Sequence, residues 1–410
     1  MVDRLAVWLY GAKVAIIERD RRRLRLEYLP EAMETIPFGT PLLSLTLPLT
    51  NERFGSGVVR PFLDGLLPEG DSRRALAEKL GLRADESFGL ISALGRDCAG
   101  AVVIQPDDEP APPSPTVLSA EPLTDEALGD LVANLRAAPL GVDQRVRISL
   151  AGVQEKLLLT RMPDGRWGRP VDGTPSTHIL KPEIAAFPHT VENEAFCMRV
   201  AKHLGLPVAA VETTVVGSRK LIVVERYDRL ILPDGNVTRL HQEDFCQATG
   251  VQPDRKYEED GGPSLRRIAG ILQSAASSDA VETLLRMVTL NVLIGNGDAH
   301  AKNFSLLHEP SGALHLAPAY DLMSTLFYGD DRLAMYIDDV RRTDRVTTDR
   351  LMKEATAWGL SRTQAPDIVG QLLDAIPEAV ERADEETPGV PPEIKQIIAS
   401  QVDRLRQTGP

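Results

Sequence analysis

The apolar residues of this chain change their spacing near residue 240, and that change limits the folds open to it more than any other feature. Before it they come in short runs broken by proline, glycine and charge, as strands do. After it they recur at the 3.6-residue period of amphipathic helices. The stretches 241–249, 264–274, 280–294, 346–358, 364–380 and 391–406 read as helices, so the last 170 residues form a mainly helical lobe. At 410 residues the chain exceeds what one core usually serves, and its 43% hydrophobic content can fill two or three. No fixed-period repeat emerges, so a solenoid is not supported.

On the N-terminal side, LAVWLYGAKVAII (5–17) and RLRLEYL (23–29) read as two strands joined by a charged turn. LLSLTLPL (42–49) and VVRPFLDGLLP (58–68), split by Pro and Gly, read as further short pieces of a small sheet or partly closed barrel. SRRALAEKLGL (72–82) is a helix, and AGAVVI (99–104) a last strand. PDDEPAPPSP (106–115) has five prolines in ten residues, too many for a helix or central strand, and marks a boundary. The helix TDEALGDLVANL (124–135), capped by Thr124, opens the next unit. VRISL, KLLLTRM, THILK (177–181), the helix VENEAFCMRVAKHLGL (191–206), VAAVETTVVG and KLIVVERYDR (220–229) then follow the order of a protein-kinase nucleotide-binding lobe. The expected organisation is an α+β chain: a β-rich unit over 1–105, a Pro-rich link over 106–123, a nucleotide-binding lobe over 124–239 and a helical lobe over 240–410.

The formal charge of −13 is spread over many short runs, which describes a soluble surface and disfavours direct wrapping of duplex DNA. Cys98, Cys197 and Cys246 are odd in number and far apart, so they read as buried small hydrophobes, with neither a disulfide framework nor a zinc site. The first residues, MVDRLAVWLYGAKVAIIERDRRR, read as neither signal peptide nor membrane anchor, and a reducing cytoplasm is expected.

The sharpest chemical signal is NVLIGNGDAHAKNFSLL (291–307), a helix running out at Gly295 into a turn that carries Asp298, His300, Lys302 and Asn303. Asp298 and Asn303 stand five apart, the interval of the kinase catalytic loop, where an Asp takes or orients the substrate hydroxyl proton and an Asn binds metal. Lys302 is placed to donate to a transferring phosphoryl group, and His300 to brace the loop. The bland alternative is a capped turn with Asp298 satisfying backbone N–H groups. FSLLHEPSGALHLAPAYDL (304–322) reads as a hairpin that returns a second carboxylate, Asp321. Asn303 and Asp321 then offer hard oxygen ligands for Mg²⁺. Asp298, His300 and Asp321 also allow a metal-dependent nuclease, a reading that gives the upstream lysine no task.

Lys181, at the end of THILK, suits the α/β-phosphates of ATP, with Glu194 as its acidic partner and Glu192 the less favoured one. Glu225 and Tyr227 mark the hinge by position; Asp228 either reaches a ribose hydroxyl or caps the next turn. Neither G-x-G-x-x-G nor G-x-x-x-x-G-K-[ST] occurs, which disfavours a Rossmann enzyme and a P-loop NTPase. RISLAGVQEK (147–156) takes the phosphate-covering position instead. Ala151, Gly152 and Val153 leave backbone N–H groups open to phosphate, and Gln154 and Lys156 add polar reach. Ser149 sits where a kinase can phosphorylate itself.

RISLAGVQEK, THILK, VENEAFC, VVERYDR, LHQEDFCQ, KYEEDGGPS (256–264), NGDAHAKNFS and APAYDL occur in this order, with LLPEG (66–70) and GRDCAGAV (95–102) before them. Together they resemble the HipA family of bacterial toxin kinases over nearly the whole chain. The resemblance implies a small N-terminal unit before a bilobal kinase-like fold, with Asp298 as catalytic aspartate and Asn303 and Asp321 as metal ligands. It implies Lys181 as the phosphate-binding lysine, Glu225 and Tyr227 as hinge, and Ser149 as the site of inactivating autophosphorylation. It also implies ATP and Mg²⁺ as cofactors and an aminoacyl-tRNA synthetase, such as the glutamyl enzyme, as substrate, with arrested translation and persistence as the outcome. The implied partner is a HipB-like helix-turn-helix antitoxin that holds the protein on operator DNA, and so near the nucleoid. A kinase of this fold acting on a small molecule, and a silent co-repressor module, are the competing readings.

Overall fold

The computed structural model describes residues 3–143, 145–277 and 279–408. Their contacts divide into two compact units that do not follow the chain in simple halves. The first takes 1–182, 215–254 and 308–312; the second takes 183–214, 255–307 and 313–410.

The first unit holds two larger antiparallel sheets and a two-stranded one, Arg229–Ile231 with Val237–Arg239. One orders its strands Phe54–Gly55, Arg23–Tyr28, Ala12–Asp20, Asp3–Leu9 and Val102–Pro106. Alternation in Arg23–Tyr28 turns Leu24, Leu26 and Tyr28 inward while Arg23 and Arg25 stay in water. The helix Ser56–Leu66 covers this sheet, where short strand-like pieces are expected from the sequence. Pro61 lies inside it, and the helix survives because Val59, Phe62, Leu63 and Leu66 bury one face in a continuous apolar core. The other sheet orders Arg219–Glu225, His178–Pro182, Leu157–Arg161, Trp167–Arg169 and Glu121–Pro122. The helix Asp125–Ala133 begins at Thr124, whose Oγ1 accepts from Ala127 N at 3.1 Å. The Pro-rich stretch is stitched to the unit, with Val117 N donating to Gly235 O and Val237 N to Pro115 O.

The second unit is mainly helical. Ala280–Ile294 is buried nearly all round and packs against Leu265–Ala275, Gln364–Glu386 and Pro392–Gln407. Thr190–His203 packs on Gln364–Glu386 as well. The 241–249 segment, expected as one helix, is a strand over His241–Asp244 and a helix over Phe245–Thr249, both in the first unit. Asp244 ends the strand because its side chain caps Gln247 N and Gln247 answers on Asp244 N, a reciprocal pair that starts the helix there. All three cysteines are buried, and none is in a disulfide. No described helix is long and apolar enough to cross a membrane.

Candidate active site

The helix Ala280–Ile294 stops at Gly295, which adopts φ 69°. Gly297 follows, and there the backbone is so close to its neighbour that a Cβ would stand 2.2 Å from the Arg332 carbonyl oxygen. The reason is the strand Arg332–Ile337, whose Ala334 N donates to Gly297 O at 2.7 Å. Thr325 Oγ1 accepts from Gly297 N at 2.8 Å, and Asn296 Oδ1 from Asp298 N at 3.1 Å. The turn that carries Asp298 is thus fixed from three sides before any ligand arrives.

Asp298 presents its carboxylate to solvent while protein crowds its other sides. That crowding, reinforced by the nearby charges of Asp321 and Asp330, raises its pKa above the usual carboxylate value. Lys256 and a hydrogen bond from the Tyr257 hydroxyl, 2.7 Å from Oδ1, work the other way. His300 N donates to Asn303 Oδ1 at 3.2 Å, closing a one-turn 3₁₀ helix over Ala301–Asn303. His300 is buried with its ring edge-on to Tyr257, centroids 5.3 Å apart, so it braces the loop. Lys302 is buried too, and its carbonyl accepts from the Tyr320 hydroxyl at 2.7 Å.

Tyr320 leads into Asp321, which holds a left-handed φ of 59°. Asn303 Nδ2 donates to Asp321 Oδ2 at 2.9 Å, so the residues expected to hold metal are in contact. Beyond them, Asn193 grips the returning chain: it accepts from Ser324 N at 2.9 Å and donates to Ser324 O at 3.0 Å. Neither Asn193 nor Tyr257 stood out as a site residue in the sequence, although both lie inside words quoted above, VENEAFC and KYEEDGGPS. Glu192 and Glu194 flank Asn193, both buried in the helix Thr190–His203.

In the first unit, Lys181 is buried on the strand His178–Pro182, paired in register with Ile222. Glu225 ends the neighbouring strand exposed, and the Tyr227 hydroxyl donates to Gln242 Oε1. The 147–156 segment is anchored at both ends. Ser149 N donates to Asp97 O at 3.0 Å, and Ser149 Oγ to Leu66 O at 2.7 Å, which buries the hydroxyl completely. At the other end Ala151 O accepts from Lys156 Nζ at 2.7 Å, Gly152 O from Glu69 N at 3.1 Å, and Gln154 Nε2 donates to Pro182 O at 3.3 Å. Gly152 takes φ +117°, a conformation L residues avoid, and Val153 beside it is exposed.

Asp228, expected at a ribose or as a turn cap, has its carboxylate taken up inside the first unit. It is 2% exposed, pairs with Arg226 at 2.8 Å and Arg229 at 3.1 Å, and accepts from Gly100 N and Gln242 Nε2. Burial works to raise its pKa, but the two guanidinium groups win and hold it below the usual range. Asp97 completes this network, fully buried against Arg229, Arg239 and Arg226 and accepting from Ser176 N and Oγ.

Two sheets packed with helices, followed by a helical unit with an acidic loop and a second carboxylate brought to its asparagine, define an α+β fold of the kinase type. The chain matches the HipA N-terminal domain over residues 5–105 and the HipA-like C-terminal domain over 148–380. It belongs to the HipA family of kinases. It is 34% identical to the serine/threonine-protein kinase toxin HipA of Shewanella oneidensis, over 82% of this chain and 80% of the relative. It is 40% identical to the Sinorhizobium fredii protein Y4mE, over 84% and 83%. The solved complex of Shewanella oneidensis HipA with HipB and operator DNA matches with a TM-score of 0.83 at 29% identity, covering 98% of this chain and 96% of that one.

Proposed function

We propose that the chain is an ATP-dependent serine/threonine protein kinase and the toxin of a HipA–HipB pair, acting in the cytoplasm and held on operator DNA, at the nucleoid, by its antitoxin. The observation that carries this reading is the group formed by Asp298, Asn303 and Asp321, with a solvent-facing carboxylate of raised pKa beside a contact of 2.9 Å between amide and carboxylate. ATP supplies the γ-phosphoryl group. Asp298 orients the acceptor hydroxyl and takes its proton as the new O–P bond forms and the bond to the departing ADP oxygen breaks. Lys302 donates to the transferring phosphoryl oxygens. In the first unit Lys181 meets the α/β-phosphates, the N–H groups of Ala151 to Gln154 cover them, and Glu225 and Tyr227 offer the adenine main-chain partners.

The donor set fits Mg²⁺: Asp321 and Asn303 supply hard oxygens, and the Asn303 amide must turn over, because its nitrogen now faces Asp321. The acceptor is a protein hydroxyl on an aminoacyl-tRNA synthetase such as the glutamyl enzyme, and its modification stops translation and growth and yields persistence. Ser149 is the inactivating autophosphorylation site. Because its hydroxyl donates to Leu66 O inside the unit, modification requires residues 147–152 to leave their anchors, and the added negative charge opposes their return.

The test is transfer from labelled ATP with Mg²⁺ by wild type, Asp298→Ala and Ser149→Ala, each alone and with host lysate. Self-label on the wild type that vanishes in both variants, with a lysate band labelled more strongly by Ser149→Ala, is the expected result. A band that is not a synthetase rejects the named substrate; label only on small molecules rejects a protein acceptor. No transfer by any folded form rejects the kinase activity.

A further inference from the structure

The turn Lys256–Gly262 has no task in the chemistry above, yet its tyrosine touches the catalytic loop. We infer that Tyr257 is a positioning residue for Asp298: its hydroxyl holds Oδ1 and so reserves Oδ2 for the acceptor's proton. This rests on Asp298 being the catalytic carboxylate.

The geometry supplies the parts. The Tyr257 hydroxyl donates to Asp298 Oδ1 at 2.7 Å across 41 residues of sequence. A carboxylate at the end of a short side chain turns freely about its last torsion, where preferences are broad. A donor on one oxygen removes that freedom and sets the plane of the other. Phenol suits this task, because its pKa near 10 lies far above a carboxylate's, so it donates without surrendering its proton and leaves the base charged.

The turn is itself held firmly. Tyr257 O accepts from Gly262 N at 2.9 Å and from Asp260 N at 3.1 Å, and Gly262 is so tightly enclosed that a Cβ would stand 2.5 Å from Arg255 O. Glu258 accepts from Tyr336 N at 2.7 Å, on the same strand whose Ala334 N bonds Gly297. One strand therefore fixes the tyrosine and the aspartate in a common frame. Lys256 O accepts from Ala301 N at 3.4 Å, and the His300 ring packs edge-on to the phenol, which limits its swing. The hydrogen bond also opposes the crowding that raises the Asp298 pKa, keeping more of the base ionised.

The experiment uses the full chain with Tyr257→Phe, Asp298→Asn and the double variant. Self-labelling from labelled ATP and Mg²⁺ gives a maximal rate and a half-saturating ATP concentration, and calorimetry gives ADP–Mg²⁺ affinity. The expected result for Tyr257→Phe is a maximal rate down about tenfold or more, as loss of a hydrogen bond to a charged group implies, with ATP half-saturation and ADP affinity within about twofold. In the Asp298→Asn background the same substitution is expected to leave the residual rate unchanged, which a general structural defect would not do. A fall by the same factor in both backgrounds, or a rise in half-saturation at constant maximal rate, overturns the proposal. An active wild type with an indifferent Tyr257→Phe overturns it alone. A wild type that binds ADP–Mg²⁺ and transfers nothing overturns the kinase reading with it.

Discussion

Replacing Asp97 by asparagine removes one charge from the most deeply buried ionic network described in the first unit. Asp97 is 0% exposed and lies 2.9 Å from Arg229, 3.3 Å from Arg239 and 3.4 Å from Arg226, with Asp228 as the second acid. Burial alone raises its pKa, yet the three guanidinium groups hold it at about 2. Measured against an unfolded aspartate near 3.9, that depression contributes about 2 to 3 kcal/mol. A depressed carboxyl keeps this contribution above its unfolded pKa and loses it as the pH falls through about 2. The substitution costs more than linkage alone implies. It leaves three cations against one buried anion, and the new amide sets an N–H₂ or a lone oxygen against Ser176 N and Oγ, which both donate to Oδ2. Removing one partner of a buried pair costs about 3 to 5 kcal/mol, a large part of a domain's stability. Urea denaturation of Asp97→Asn measures it. Adding Arg239→Met is expected to restore part of the loss, since Arg239 is the guanidinium whose pKa burial drags down to about 10. A loss below about 1 kcal/mol, or simple additivity in the double variant, refutes the reasoning.

Gly297→Ala forces a methyl group toward the Arg332 carbonyl; transfer is expected to fall about a hundredfold with ADP binding kept, and an unaltered rate rejects the claim that the strand fixes the loop. Asn193→Asp keeps the acceptor for Ser324 N but sets a carboxylate oxygen against Ser324 O; a loss of about 1 to 3 kcal/mol and faster proteolysis within 321–331 are expected, both read on the purified chain. Burial, aided by His308, pushes the His241 imidazole down to about 3. The unfolded chain therefore binds the extra proton between about 3 and 6.5, and stability falls on acidification through that window by about 1 kcal/mol per unit. In urea titrations at about pH 5 and 7, His241→Gln is expected to flatten this slope, and an unchanged slope counts against the assignment.

Legibility in the sequence followed the range of the forces involved. The helix Ala280–Ile294 was readable to the residue, because Gly295 ends it by its own backbone freedom. Ser56–Leu66 was not, because Pro61 argues locally against a helix and only burial of Val59, Phe62, Leu63 and Leu66 overrides it. His241–Asp244 was misread as helix because its strand pairing lies outside any local period. The acidic loop was legible as an interval, Asp298 to Asn303, with Asp321 following. The residues that hold it were not. Tyr257 meets Asp298 across 41 positions and Asn193 meets Ser324 across 131, and no spacing announces such a pair.

The sequence by itself determined the helix Ala280–Ile294 with its glycine stop, the Thr124 cap, and which short loop gathers acid, amide and lysine, because periodicity, caps and glycine turns act within a few residues. The tertiary structure decided which polar groups are used up inside the protein. Asp228, readable as a ribose ligand, is committed to Arg226 and Arg229, and the Ser149 hydroxyl is turned inward to Leu66. A buried charge or hydroxyl must find a partner wherever the fold brings one, and that partner lies at a distance along the chain over which sequence pattern carries no information.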